Sequence, residues 1–183
     1  MHIAKAKELV ANKNETSKLF VSLLDIERQG ANWPLISKGA HEIWAKMREI
    51  EPKGKLIHFY YAFTVPGYDN KIIEMEKLLL ELKDREGDSK SLPTSGDHSY
   101  MIGPVINSMG YFYYANGDNE KAKELFEEYL SLYPNGYNPY DSMGEFYYNE
   151  GDLENAKYFY NKAAENFYAA STANERLKEL NQN

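Results

Sequence analysis

Apolar positions along this chain fall mostly at helical intervals, and the clearest stretch lies in its second half. Ile106, Met109, Gly110 and Tyr113 share one face at i, i+3, i+4, i+7 spacing. Gly117-Asp118 interrupts that pattern. Glycine suits a left-handed turn, and aspartate can cap the helix that follows. Ala122, Leu125, Phe126, Tyr129 and Leu130 then form a second amphipathic stripe, ended by Pro134-Asn135-Gly136. The spacing predicts two helices joined by a tight turn. Small residues at Gly110 and Ala122 are what close contact between the two axes requires.

The same unit then recurs. Ser108-Met109-Gly110-Tyr111-Phe112-Tyr113-Tyr114 returns as Ser142-Met143-Gly144-Glu145-Phe146-Tyr147-Tyr148, Gly117-Asp118 as Gly151-Asp152, and Ala122-Lys123 as Ala156-Lys157, always 34 residues later. Between windows 103–136 and 137–170, 11 of 34 positions are identical without a gap, a register that chance does not hold.

These residues resemble the tetratricopeptide repeat, whose signature is W-x2-L-G-x2-Y, then A-x3-F, then P. The first copy reads Ile106-x2-Met109-Gly110-x2-Tyr113, Ala122-x3-Phe126, Pro134. The second reads Tyr140-x2-Met143-Gly144-x2-Tyr147, Ala156-x3-Tyr160, with Tyr168 in place of the proline. That departure suits a terminal unit followed by a capping helix over Ser171 to Leu180. Upstream the likeness decays. Ala40-x3-Trp44 and Pro52 keep the second-helix spacing, so residues 35–51 resemble the second helix of an earlier repeat, with its first helix over Thr16 to Gln29. Lys55 to Thr64 and Asn70 to Arg85, broken by Val65-Pro66-Gly67, form another degenerate pair. The resemblance implies an all-α fold, a right-handed superhelix of antiparallel helix pairs with a C-terminal capping helix. Its divisions are degenerate pairs over 1–85, a polar insertion over 86–99, two repeats over 100–170 and the cap and tail over 171–183.

Composition narrows the function. Apolar and charged content are those of an ordinary folded domain, but tyrosine stands out, with 16 against 8 phenylalanines and 2 tryptophans. Its ring and hydroxyl suit half-buried seams and binding surfaces. With no cysteine, disulfides, thiolate zinc sites and a cysteine nucleophile are excluded together. No apolar run reaches the roughly 20 residues a membrane-crossing helix needs, and Met1 to Lys18 is too polar for a secretory signal. A cytoplasmic location is the expectation. The net charge of −7 sits within 103–170, where 11 acidic residues face 4 basic ones. An acidic half repels phosphate backbones, which argues against nucleic acid as a partner.

Signatures of catalysis are missing. No serine lies in G-x-S-x-G or has lysine three positions on, and Gly54-Lys55 lacks the upstream glycine of a phosphate loop. His2, His41, His58 and His98 show no metal-ligand spacing. Asp97-His98, with Asp88 nearby, reads as solvated turn residues, and a small-molecule enzyme built on that loop is a minor third reading. His41-Glu42 is expected on an outward helix face, Asn14-Glu15-Thr16 as a polar loop before a helix (it also fits a glycosylation acceptor), and Trp33 and Trp44 as packing residues. No metal or cofactor is expected.

The resemblance also implies a binding surface, because the first helices of such repeats line a concave face. By position, that face presents Asn107, Tyr111 and Tyr114 from one repeat and Asp141, Glu145 and Tyr148 from the next. Such a groove suits an extended or helical peptide, and its carboxylates favour a basic protein or peptide partner. Family members that clamp a chaperone's C-terminal carboxylate need lysine, arginine and asparagine here. Asp141 and Glu145 argue against that mode. The leading expectation is a non-catalytic scaffold, its oligomeric state left open. The alternative is an accessory tail of a larger bacterial hydrolase or esterase, which Tyr140-Asp141-Ser142-Met143-Gly144-Glu145 resembles.

Overall fold

A computed structural model describes residues 2–27, 34–86 and 101–182. Among these residues the protein is all α-helix apart from two single 3-10 turns, with no strand. It divides into two compact units, 1–78 and 79–183, and the division falls within one long helix.

The first unit contains α1 (His2–Val10), α2 (Glu15–Glu27), α3 (His41–Ile50), α4 (Lys55–Thr64) and the start of α5 (Tyr68–Glu86). Contacts join α1 to α2, α2 to α3 and α3 to α4, and helices stand at Glu15–Glu27, Lys55–Thr64 and Tyr68–Glu86, close to where the spacing put them. One difference is at 35–51, where two 3-10 turns (Pro34–Ile36, Lys38–Ala40) precede a shorter helix. Gly39 weakens helix propagation there. Helix α1 was not foreseen, because its few apolar residues make only a short, weak stripe.

The core of this unit is Leu23, Ala40, Trp44, Met47 and Ile57. Trp44 is 1% exposed, donates its indole N–H to the Leu35 carbonyl at 2.7 Å and stacks on Tyr60. It is therefore a packing residue; Trp33 lies outside the described residues. Asn14 accepts the Ser17 backbone N–H at 2.9 Å, so its side chain serves as the N-cap of α2. His41 departs from the expected outward face: it is half-buried, stacked on Tyr61, with Nδ1 3.2 Å from the Thr64 hydroxyl. Glu74 of α5 ties three helices together. It accepts from Arg48 and Lys77 at 2.7 Å, and lies 3.2 Å from buried His58. Burial pushes the Glu74 carboxyl up, but the bonds from Lys77 and Arg48 outweigh it and hold it below the usual range.

The second unit shows why the repeat has its sequence. Helices α6 (Ile102–Ala115), α7 (Asn119–Leu132), α8 (Tyr137–Asn149), α9 (Leu153–Asn166) and α10 (Ser171–Leu180) pack in order. Gly117 and Gly151 sit at φ +90° and +80°, where a side chain would be strained. The following Asp118 and Asp152 accept the backbone N–H of Lys121 and Asn155, capping α7 and α9. Ala122 and Phe126 of α7 pack with Met143 and Phe146 of α8, joining one repeat to the next, and Ala156, Tyr160 and Ala163 of α9 pack with Ala170 and Ala173, joining α9 to α10.

Close approach is set at glycines, among them an equivalent pair in the two repeats. A Cβ on Gly110 would lie 2.6 Å from the Phe126 ring, and one on Gly144 would lie 2.6 Å from the Tyr160 ring. Helix α10 continues the register, since Ser171, Ala173 and Leu177 stand 34 residues after Tyr137, Pro139 and Met143. The position after Gly110 and Gly144 in that series is Lys178, so no ring can pack against α10 as Phe126 and Tyr160 pack against their partners.

Gly110→Ala should destabilise the protein by about 1–3 kcal/mol in urea unfolding, because overpacking outweighs the helix propensity alanine adds. A variant as stable as the parent would show that the Phe126 ring can move aside.

Candidate functional site

The six residues expected on the repeat face lie on α6 and α8, and the structure shows what each one meets. Tyr111 of α6 donates its hydroxyl to Glu145 of α8 at 2.7 Å, and its ring packs edge-on against Phe126. Burial, then the Glu145 charge, pushes the Tyr111 phenol far above its ordinary value, so it stays a neutral donor. Tyr114 donates to Glu150 at 3.0 Å, which also accepts from Asn119. Tyr148 lies beneath the Arg176 guanidinium, 4.6 Å from its ring centre, and that guanidinium also donates to Glu179 at 2.7 Å. The face is thus partly engaged with itself: Tyr111 and Glu145 hold one another across the two repeats.

Asn107 and Asp141 occupy equivalent positions one repeat apart. Each has its Oδ1 atom buried without a hydrogen-bond partner. Asp141 faces the backbone N–H of Ala173, so a carboxylate from α8 answers the first turn of α10, whose own N-cap residue is Ala170 and offers no side-chain bond. Burial, then the neighbouring Glu145 charge, raises the Asp141 carboxyl to about 6, against the opposing pull of the Ala173 N–H. A cleft of about 180 Å³ opens beside it, lined by Tyr137, Asn138, Asp141, Ala170, Ser171 and Thr172.

Two residues of this neighbourhood were not singled out from the sequence. Tyr160 has no exposed surface, yet its hydroxyl makes no hydrogen bond of normal geometry. The charged groups facing it are Glu145, Asp141 and Arg176, the last leaning toward it from α10. Burial, then the two carboxylates, pushes this phenol well up. A signal for it did exist. Tyr160 stands where the first repeat has Phe126, a position whose packing needs only a ring, so the added hydroxyl wants another explanation. Arg176 carried no such mark.

Asp88, Asp97 and His98, and the insertion expected at 86–99 apart from Glu86, which ends α5, lie outside the described residues. Among the described residues no group of three or more histidines, aspartates or glutamates is placed to hold a metal, and no helix is long and apolar enough to cross a membrane. One wide hollow of about 570 Å³ lies in the first unit, with walls that include Val10, Phe20, Val21, Met47, Leu56 and Ile57.

Paired helices in a fixed 34-residue register, with equivalent side chains side by side, define a helical-repeat protein. Models of the tetratricopeptide repeat match residues 108–136 and 137–166. The crystal structure of MamA aligns with a TM-score of 0.56 at 17% identity, over 90% of this chain and 85% of that one, a likeness of fold. No curated protein matches the chain. Residues 108–166 thus match the tetratricopeptide repeat, within a fold that is all-helical among the described residues.

The raised Asp141 carboxyl carries a stability consequence. Below about pH 3 the group is protonated in both folded and unfolded chains and costs nothing. As pH rises toward 6 the unfolded chain ionises first, so stability falls through that window and the deficit persists above it. Asp141→Asn keeps an acceptor for Ala173 and removes the charge. It should melt higher than the parent at pH 7, with the gap closing by about pH 3. A constant gap across that range would show that Asp141 is not desolvated as described.

Proposed function

We propose that this protein is a non-catalytic scaffold that binds a protein or peptide segment on the face formed by α6 and α8. The observation that carries this reading is a partly buried row of tyrosines and carboxylates, repeated one unit apart, in which the Oδ1 atoms of Asn107 and Asp141 are buried without a hydrogen-bond partner. Buried polar atoms in folded proteins are overwhelmingly paired, so a surface that holds such atoms is one that a second molecule completes.

Tyr114 and Tyr148 supply aromatic area at low entropic cost, and both hydroxyl and ring are already oriented by Glu150, Phe146 and Arg176. Such preorganisation lowers what binding must spend on ordering side chains. The excess of acid over base in this half selects a basic segment and speeds its arrival. The reading assigns the chain no bond-making step and no cofactor, and it sets the protein in the cytoplasm.

The test is capture from lysate by the immobilised full chain, compared with a Tyr114→Ala, Tyr148→Ala double variant that circular dichroism shows to be folded. Loss of two such aromatic anchors should cost about 2 kcal/mol or more each, so a partner held by the parent should be lost by the variant. A partner retained equally by both would move the binding surface off this face.

A further inference from the structure

The unmet carboxyl and amide oxygens on this face are all acceptors. Asn107 Oδ1 and Asp141 Oδ1 can only accept, and Glu145 sits one turn from Asp141 on the same face of α8, a like-charge pair at i, i+4. The Tyr160 hydroxyl, wholly buried and without a bond of normal geometry, faces both carboxylates. What the two carboxylates lack is a direct counter-ion: Arg176, whose charge reaches Tyr160, makes no ion pair with Asp141 or Glu145.

The chain's own charges do not fill that role. Arg176 is the nearby cation, but its guanidinium is held by Glu179 at 2.7 Å and spread over the Tyr148 ring at 4.6 Å. The positive end of α10 is met on one side of Asp141 through the Ala173 N–H, which leaves Oδ1 unanswered. Beside that carboxylate the cleft of about 180 Å³ has room for about six waters. A guanidinium or ammonium group with the end of its stem fits that space; a folded segment does not.

We propose that the cleft between the first turns of α8 and α10 is a receptor for one arginine or lysine side chain of the bound partner, with Asp141 as its direct counter-ion and Glu145 behind it. This rests on the reading of the α6–α8 face given above. Arginine fits best, since its planar fork can meet a carboxylate and a second acceptor together. The partner's cation relieves the repulsion between Asp141 and Glu145 and meets atoms that the folded chain leaves bare. The two carboxylates thus set where along the groove a basic residue must fall, and so fix the register of the bound segment.

The probe is an acetylated, amidated five-residue peptide with arginine at its centre and glycine elsewhere, titrated into the ¹⁵N-labelled full chain. A matching peptide carries citrulline, which keeps the shape and lacks the charge. Arginine should shift the amide resonances of Asp141, Glu145 and Ala173, while citrulline leaves them in place. Asp141→Asn and Glu145→Gln keep acceptors for Ala173 and Tyr111, so both should stay folded, and each should weaken the arginine peptide about tenfold or more. Equal shifts from citrulline, shifts confined to other residues, no shifts up to the solubility limit of the peptide, or undiminished binding by Asp141→Asn would each overturn the proposal. The larger reading can fail separately. A lysate partner lost by the tyrosine variant but kept by Asp141→Asn leaves the face as the binding surface and removes the cationic receptor; a partner kept by both variants removes both.

Discussion

Everything in the second unit follows from how closely two helices can approach at a glycine. The rings of Phe126 and Tyr160 lie where the Cβ atoms of Gly110 and Gly144 would be. With no Cβ in the way, each second helix seats its ring on the backbone of the first, and dispersion contacts replace what would be a clash. That seating fixes the separation within a pair. The left-handed turns at Gly117 and Gly151, capped by Asp118 and Asp152, fix how the chain reverses. Repeating both devices after 34 residues places α6 and α8 so that Tyr111 meets Glu145. The candidate face is therefore a by-product of packing geometry.

Tyrosine abundance also becomes intelligible in these terms. Tyr129, Tyr133 and Tyr160 are core residues, each almost without exposed surface. Tyr129 accepts from the Asn138 side chain, and its phenol is pushed up to about 12, chiefly by burial. Others, such as Tyr147 stacked on Phe159, fill seams between helices. The aromatic excess is thus shared between structure and surface, and Tyr160 is wholly structural: its ring seats a helix while its buried hydroxyl faces two carboxylates and Arg176.

How much was legible beforehand depends on how local the cause is. The turn at Gly117-Asp118, the stripe from Ala122 to Leu130 and the helix at Ser171 to Leu180 are written in neighbouring residues, and they stand where the pattern put them. In the first unit the spacing located α4 and α5, but the breaks before α3 depend on Pro34 and Gly39 acting against a helical stripe. His41 was placed wrongly because its environment comes from Tyr61 and Thr64, two helical turns into another element. The role of Asp141 was hidden for the same reason. Its partner, the first turn of α10, lies some thirty residues away, and no periodicity reports which carboxylate answers a distant helix end. Position in a repeat told which residues share a face, while rotamers and cross-helix bonds decided which were engaged.

Lys178 deserves a last consequence. A tandem array grows by offering, at its open end, the same seat it used before, and any copy of the chain carries rings that suit such a seat. A long charged side chain at the glycine position blocks the seat without disturbing α10 itself, since nothing is packed there to be displaced. The lysine thus acts as punctuation in the repeat: α10 offers no seat of the kind that Phe126 and Tyr160 occupy on the two helices before it.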